Sequence, residues 1–105
     1  MLKQNITLKA ANGEEPIESP HKFDRIIANL VLMLTEDPHK MMRNLHSMAA
    51  EGCLLGVTIW GDKSQSNFFP LFREAVVATE GEAPAQRAPF HLYGKLEELA
   101  KETGW

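Results

Sequence analysis

Two apolar runs flanking one capped, methionine-rich amphipathic segment constrain this chain more than any other feature. The first run is Ile26-Ile27-Ala28-Asn29-Leu30-Val31-Leu32-Met33-Leu34, entered through Phe23-Asp24-Arg25; the second extends from Cys53 to Trp60 and ends at Gly61-Asp62. Continuous apolar runs of this length predict strands covered on both faces, the mark of a parallel sheet, with Asn29 a candidate for the end of the first strand. Between them, Asp37-Pro38 supplies an N-cap followed by proline at the first helical position, where its missing N–H costs nothing. Met41, Met42, Leu45, Met48 and Ala49 then recur at helical spacing, with Lys40, Arg43 and Ser47 outward, until Gly52 stands where a helix C-cap would. Strand, helix, strand in that order predicts a right-handed βαβ unit and the α/β class.

The flanking segments carry weaker signals. Ile6, Leu8 and Ala10 alternate with Thr7, Lys9 and Ala11 up to Asn12-Gly13, which predicts a short strand followed by a turn. Ser64 or Ser66 can cap a second helix carrying Phe68, Phe69, Leu71, Phe72, Ala75 and Val76, with Pro70 tolerated in its first turn. Thr79 to Pro89 is expected to be a linker. A last helix is expected over roughly Leu92 to Glu102, with Leu96, Leu99 and Ala100 on one face and Gly104 at its end.

Bulk properties narrow the function classes. With 105 residues the chain is at most one domain with a small core, and its 44% hydrophobic and 24% charged composition is that of a globular protein. A formal charge of -3 gives no general attraction to nucleic acid or to an anionic membrane, so neither partner is expected. The single cysteine, Cys53, cannot form an internal disulfide, and no apolar stretch approaches the ~20 residues of a membrane span, so the expected location is the cytoplasm.

Three stretches in sequence order resemble the class I S-adenosylmethionine-dependent methyltransferases of the type-11, small-molecule kind. They are Ala10-Ala11-Asn12-Gly13-Glu14-Glu15-Pro16, then Phe23-Asp24-Arg25-Ile26-Ile27-Ala28-Asn29-Leu30, then Asp37-Pro38 through Glu51-Gly52. They look like the family's acidic loop after its third strand, its fourth strand, and the helix that precedes its fifth. The closing Leu99-Ala100-Lys101-Glu102-Thr103-Gly104-Trp105 is similar to the family's leucine-rich helix leading into an aromatic residue after glycine. The resemblance implies a partial Rossmann-like methyltransferase fold over residues 1–105, with a parallel β-α-β core. It implies S-adenosylmethionine as cofactor, a small-molecule methyl acceptor, and a chain inactive in isolation. Nothing like the family's glycine-rich cofactor loop precedes Ile6, and neither the second strand nor the last two strands has a counterpart. Strand edges left without neighbours in this way are expected to promote self-association.

Four residues carry the expected cofactor contacts. Asn12 stands where the family usually has an aspartate that accepts from the adenine amino group, and an asparagine oxygen can accept the same bond; Gly13 would allow close approach to the ring. The alternative is an ordinary Asn-Gly turn. Asn29 and Leu30 fall near the expected carboxyl end of a strand, where open α/β sheets bind ligands, and a polar residue there escapes the roughly 1 to 3 kcal/mol cost of an unmet buried amide. His21, His39, His46 and His91 show no metal-ligand spacing, no catalytic residue is assigned, Glu14-Glu15 has no paired-carboxylate geometry, and the methionine stripe reads as core filling.

Overall fold

A computed structural model describes residues 5–82 and 90–105. The central unit is β1 (Phe23–Asn29), α1 (Pro38–Met48) and β2 (Ala49–Thr58). The two strands lie side by side in parallel, with Ile26 opposite Leu55, Ala28 opposite Val57 and Asn29 opposite Thr58. Parallel neighbours need a crossover rather than a tight turn, and α1 provides it. The chain is thus a mixed α/β protein built on a two-stranded parallel sheet.

Helix α1 begins as its sequence requires. The Asp37 carboxylate accepts the Lys40 backbone N–H at 3.0 Å and Pro38 occupies the first helical position. Met41, Met42 and Leu45 line its buried face and meet Ala28, Leu32 and Met33 from the β1 side, with Leu92 and Leu99 closing the core. Burying this stripe against the sheet is what stabilises so short a helix. Met41 and Met42 are core residues, and Met48 is partly buried against them.

The first apolar run is only partly a strand. Leu30 takes a left-handed φ of 51°, which turns the chain off the sheet, and Leu32–Leu34 form a single 3-10 turn closed by the Thr35 hydroxyl donating to the Leu32 carbonyl at 2.8 Å. Leu32 and Met33 are nevertheless buried, so the run stays apolar because two differently folded halves feed one core. Gly52 does not stop the helix. Helix α1 ends at Met48 with Ala49 as its cap, and Gly52, at φ 74°, sits in the irregular stretch of β2 where the register passes from Phe23–Ala49 to Arg25–Leu54.

Two further expectations are corrected. Residues Ile6–Ala10 form no strand; they lie outside the sheet, with Leu8 90% exposed, because alternation alone supplies an apolar edge but no hydrogen-bonding neighbour. The sheet is also covered on one face only. Ala28, Leu55 and Val57 pack towards the helices, whereas Ile27 and Leu54 on the opposite face are 79% and 63% exposed.

Beyond β2, neither Ser64 nor Ser66 caps the second helix, which starts after Asn67 with no side-chain cap; Asp62 instead caps the short turn before it. It accepts the Ser64 N–H at 2.9 Å to start a 3-10 turn, Lys63–Gln65, and that bond holds its carboxyl below the ordinary value of 3.8. Helix α2 (Phe68–Glu80) follows and buries none of its residues, ending at Gly81, where φ is 80°. The expected linker thus begins two residues late, and its 83–89 portion lies outside the described residues. Helix α3 (Leu96–Glu102) is shorter than expected and presents Leu99 to the core, with Leu96 and Ala100 packed beside it.

Candidate functional site

The residues singled out in the sequence fall in two places on the βαβ unit, the end of β1 and a turn docked on α1. Helix α1 runs against the direction of its strands, so its N-terminus stands at their carboxyl ends. Asn29 and Leu30 are at that end of β1, and the turn carrying Asn12 and Gly13 is fastened along α1, from the Asp37 cap through Met41 to Asn44.

The strand end is closed by Thr58. Its hydroxyl donates to the Asn29 side-chain oxygen and accepts the Leu30 backbone N–H at 3.0 Å, while the Leu30 N–H also reaches the Thr58 carbonyl at 3.1 Å. Asn29 is exposed and avoids the cost of a buried amide, whereas the Leu30 side chain packs on the core. Thr58 was not singled out in the sequence, although it carries the same signal as Asn29: a polar residue near the end of an apolar run.

The turn is held by four hydrogen bonds. The Asn12 side-chain oxygen accepts the Glu14 N–H at 3.0 Å and its carbonyl accepts the Glu15 N–H at 3.1 Å, a local turn of the kind asparagine favours. Asn44 of α1 donates to the Gly13 carbonyl at 2.8 Å. The Glu14 carboxylate accepts the backbone N–H of Asp37 at 2.8 Å, satisfying a donor at the helix cap that α1 cannot pair within itself. In many helices a glutamate three residues past the cap performs this task; here Lys40 occupies that place and Glu14 reaches in from a distant loop. Expected outcome: Glu14→Ala lowers stability by about 1 kcal/mol in urea unfolding, and Glu15→Ala, without such a bond, changes it little. Equal effects from the two would show that Asp37 is not held in this way.

Gly13 lies against α1. A Cβ added to it would meet the Met41 Cε at 3.0 Å, so the missing side chain serves helix packing. These residues do not by themselves enclose an adenosine. Asn12 and Asn29 are exposed, each side-chain oxygen already accepts one hydrogen bond, and the open side of Gly13 is filled by Met41.

The remaining polar groups have structural duties. His39 of α1 lies 2.7 Å from the Glu102 carboxylate of α3, and His46 meets the Trp105 ring edge-on at 5.2 Å. Among the described residues no group of three His, Cys, Asp or Glu side chains could hold a metal ion, and no helix is long and apolar enough to cross a membrane. A cavity of about 280 Å³ opens along β2 between α1 and α3, lined chiefly by Met42, Cys53, Leu55, Val57, Leu96 and Trp105. None of the four expected cofactor residues borders it. No protein-family model matches this chain, and neither a curated protein nor a solved structure does.

Proposed function

We propose that the chain is a partial Rossmann-like unit of an S-adenosylmethionine-dependent methyltransferase acting on a small-molecule acceptor, with little capacity to hold the cofactor alone. The observation that supports this reading is the parallel β1–α1–β2 unit with Asn29–Leu30 at the carboxyl end of β1, where open α/β sheets bind ligands, and the Asn12–Gly13 turn docked on α1. Methyl transfer asks little of side chains as acids or bases, since most of its acceleration comes from aligning donor and acceptor. The chain's own share would be limited to hydrogen-bond acceptors of Asn12 and Asn29 and to the surface beside Leu30.

Titration of the 15N-labelled chain with S-adenosylmethionine tests this reading. The amides of Asn12, Gly13, Asn29 and Leu30 are expected to shift together with a Kd of about 1 mM or weaker, close to the affinity of a few isolated contacts. Absence of shifts at these amides overturns the cofactor reading. Submicromolar affinity overturns the incompleteness of the site. A second reading, a non-catalytic interaction module of the same ancestry, is favoured by the apolar side chains that α2 leaves exposed.

A further inference from the structure

Of the chain's five asparagines, Asn12 alone is followed by glycine; the other four precede Ile6, Leu30, Leu45 and Phe68. The difference bears on covalent stability. An asparagine side-chain amide can be attacked by the backbone nitrogen of the next residue, and a Cβ on that residue shields the nitrogen. Glycine has none and restricts the approach least.

The fold leaves this pair open to that reaction and closes the others to it. Asn12 and Gly13 lie in a surface turn outside every helix and strand, with Asn12 exposed. Among the described residues, no hydrogen bond holds the Asn12 side-chain nitrogen or the Gly13 backbone N–H, so neither the leaving group nor the attacking group is tied. The Asn12 side-chain oxygen, by contrast, accepts the Glu14 backbone N–H at 3.0 Å. That donor faces the oxygen on which negative charge develops when the amide carbon is attacked, the arrangement that stabilises oxyanions in acyl transfer. At Asn29 the attacking nitrogen would be that of Leu30, whose N–H is committed to the Thr58 hydroxyl at 3.0 Å and the Thr58 carbonyl at 3.1 Å. Asn44 lies within α1, its side-chain nitrogen donating to the Gly13 carbonyl.

We propose that Asn12 is a site of spontaneous deamidation, one product of which unfastens the turn from α1. The Gly13 backbone nitrogen, its proton lost to solvent base, bonds to the Asn12 side-chain carbon. The bond from that carbon to the side-chain nitrogen breaks, and the nitrogen leaves as ammonia after taking a proton from water. Water then opens the cyclic imide at either carbonyl. Opening at the former side-chain carbon restores the ordinary backbone with an aspartyl residue; opening at the former backbone carbonyl leaves an isoaspartyl link, in which the main chain runs through the side chain and is one carbon longer. The net change is amide and water to carboxylate and ammonium. The two products differ in their effect on the fold. An aspartyl carboxylate can still accept the Glu14 N–H and keeps the turn. The isoaspartyl form displaces Gly13 by one backbone carbon, so the Asn44–Gly13 and Glu14–Asp37 bonds, each 2.8 Å, and the packing of Gly13 on Met41 cannot all be kept.

The test is incubation of the whole folded chain in mildly alkaline buffer at physiological temperature, followed by peptide mass spectrometry. The amide-to-acid change in mass is expected at Asn12 at least about tenfold faster than at Asn29, Asn44 or Asn67, a ratio equivalent to about 1.4 kcal/mol of barrier. Electron-transfer fragmentation should resolve aspartyl and isoaspartyl products at that position. In the separated isoaspartyl chain, the NMR signals of the Asp37 backbone N–H and the Asn44 side-chain amide should move, whereas Asn12→Asp, which carries the carboxylate on an ordinary backbone, should leave both near their wild-type positions. Asn12→Gln should fold, by circular dichroism, and show no conversion at position 12. No conversion at Asn12 overturns the proposal, and so does equal conversion at the other asparagines. Conversion only after unfolding in urea also overturns it, since the folded turn would then protect Asn12. An isoaspartyl chain with unmoved Asp37 and Asn44 signals overturns the unfastening.

Discussion

Leu32→Ala should lower the unfolding free energy by about 3 kcal/mol, the middle of the range for a fully buried leucine cut back to its Cβ. Leu32 is 0% exposed and lies in the 3-10 turn between β1 and α1, surrounded by the core that Ala28, Met33 and Met42 help to build. The cavity left behind is bounded by a strand, a helix and a capped turn, none of which can close in without breaking hydrogen bonds elsewhere. Leu34, two residues on, is 76% exposed, and Leu34→Ala should change stability by less than about 0.5 kcal/mol. Urea unfolding followed by circular dichroism gives both values. If the two substitutions cost the same, the run Ile26–Leu34 is not divided between strand and turn as described. A domain of this size has a total stability near the low end of about 5 to 15 kcal/mol, so the Leu32 variant should be visibly unfolded at modest denaturant.

The second large effect is expected at Trp105. Its indole N–H donates to the Met42 carbonyl at 3.2 Å, its ring stands at 88° to His46, and its backbone N–H returns to the Ala100 carbonyl at 2.9 Å. One side chain thereby joins the end of the chain to the middle of α1. Trp105→Ala should cost about 3 kcal/mol, and Trp105→Phe, which keeps an aromatic ring but loses the indole bond, about 1 kcal/mol more than full retention. Accompanying loss of hydrogen-exchange protection should appear in α3, whose polar tie to α1, the half-exposed His39–Glu102 pair, is worth no more than about 1 kcal/mol. An alanine variant as stable as the wild type would mean that α3 holds its place without Trp105.

The candidate site divides the same way between local and distant causes. The Asn12-Gly13 turn was legible because an asparagine side chain closes such a turn using its own neighbours. What that turn rests on was not legible: Asn44 and Met41 lie about thirty positions further along, and Glu14 reaches Asp37 across 23. No periodicity in one segment encodes a partner in another. The gap at the strand end is similar, since Asn29 was conspicuous within its apolar run while Thr58, its partner, became meaningful only once the register set the two opposite each other.

Local chemistry thus determined the start of α1 at Asp37-Pro38, the burial of Met41, Met42 and Leu45, and the parallel pairing of the two apolar runs, because capping, helical spacing and crossover geometry act within a few residues or one supersecondary unit. Only the tertiary structure decided that Ile6–Ala10 would form no strand, that the run beginning at Ile26 would pass into a 3-10 turn that still feeds the core, and that Ile27, Leu54 and the apolar side chains of α2 would remain exposed. An apolar pattern states that a surface favours burial; whether it is buried depends on which other surface reaches it, and that is a property of the whole packing.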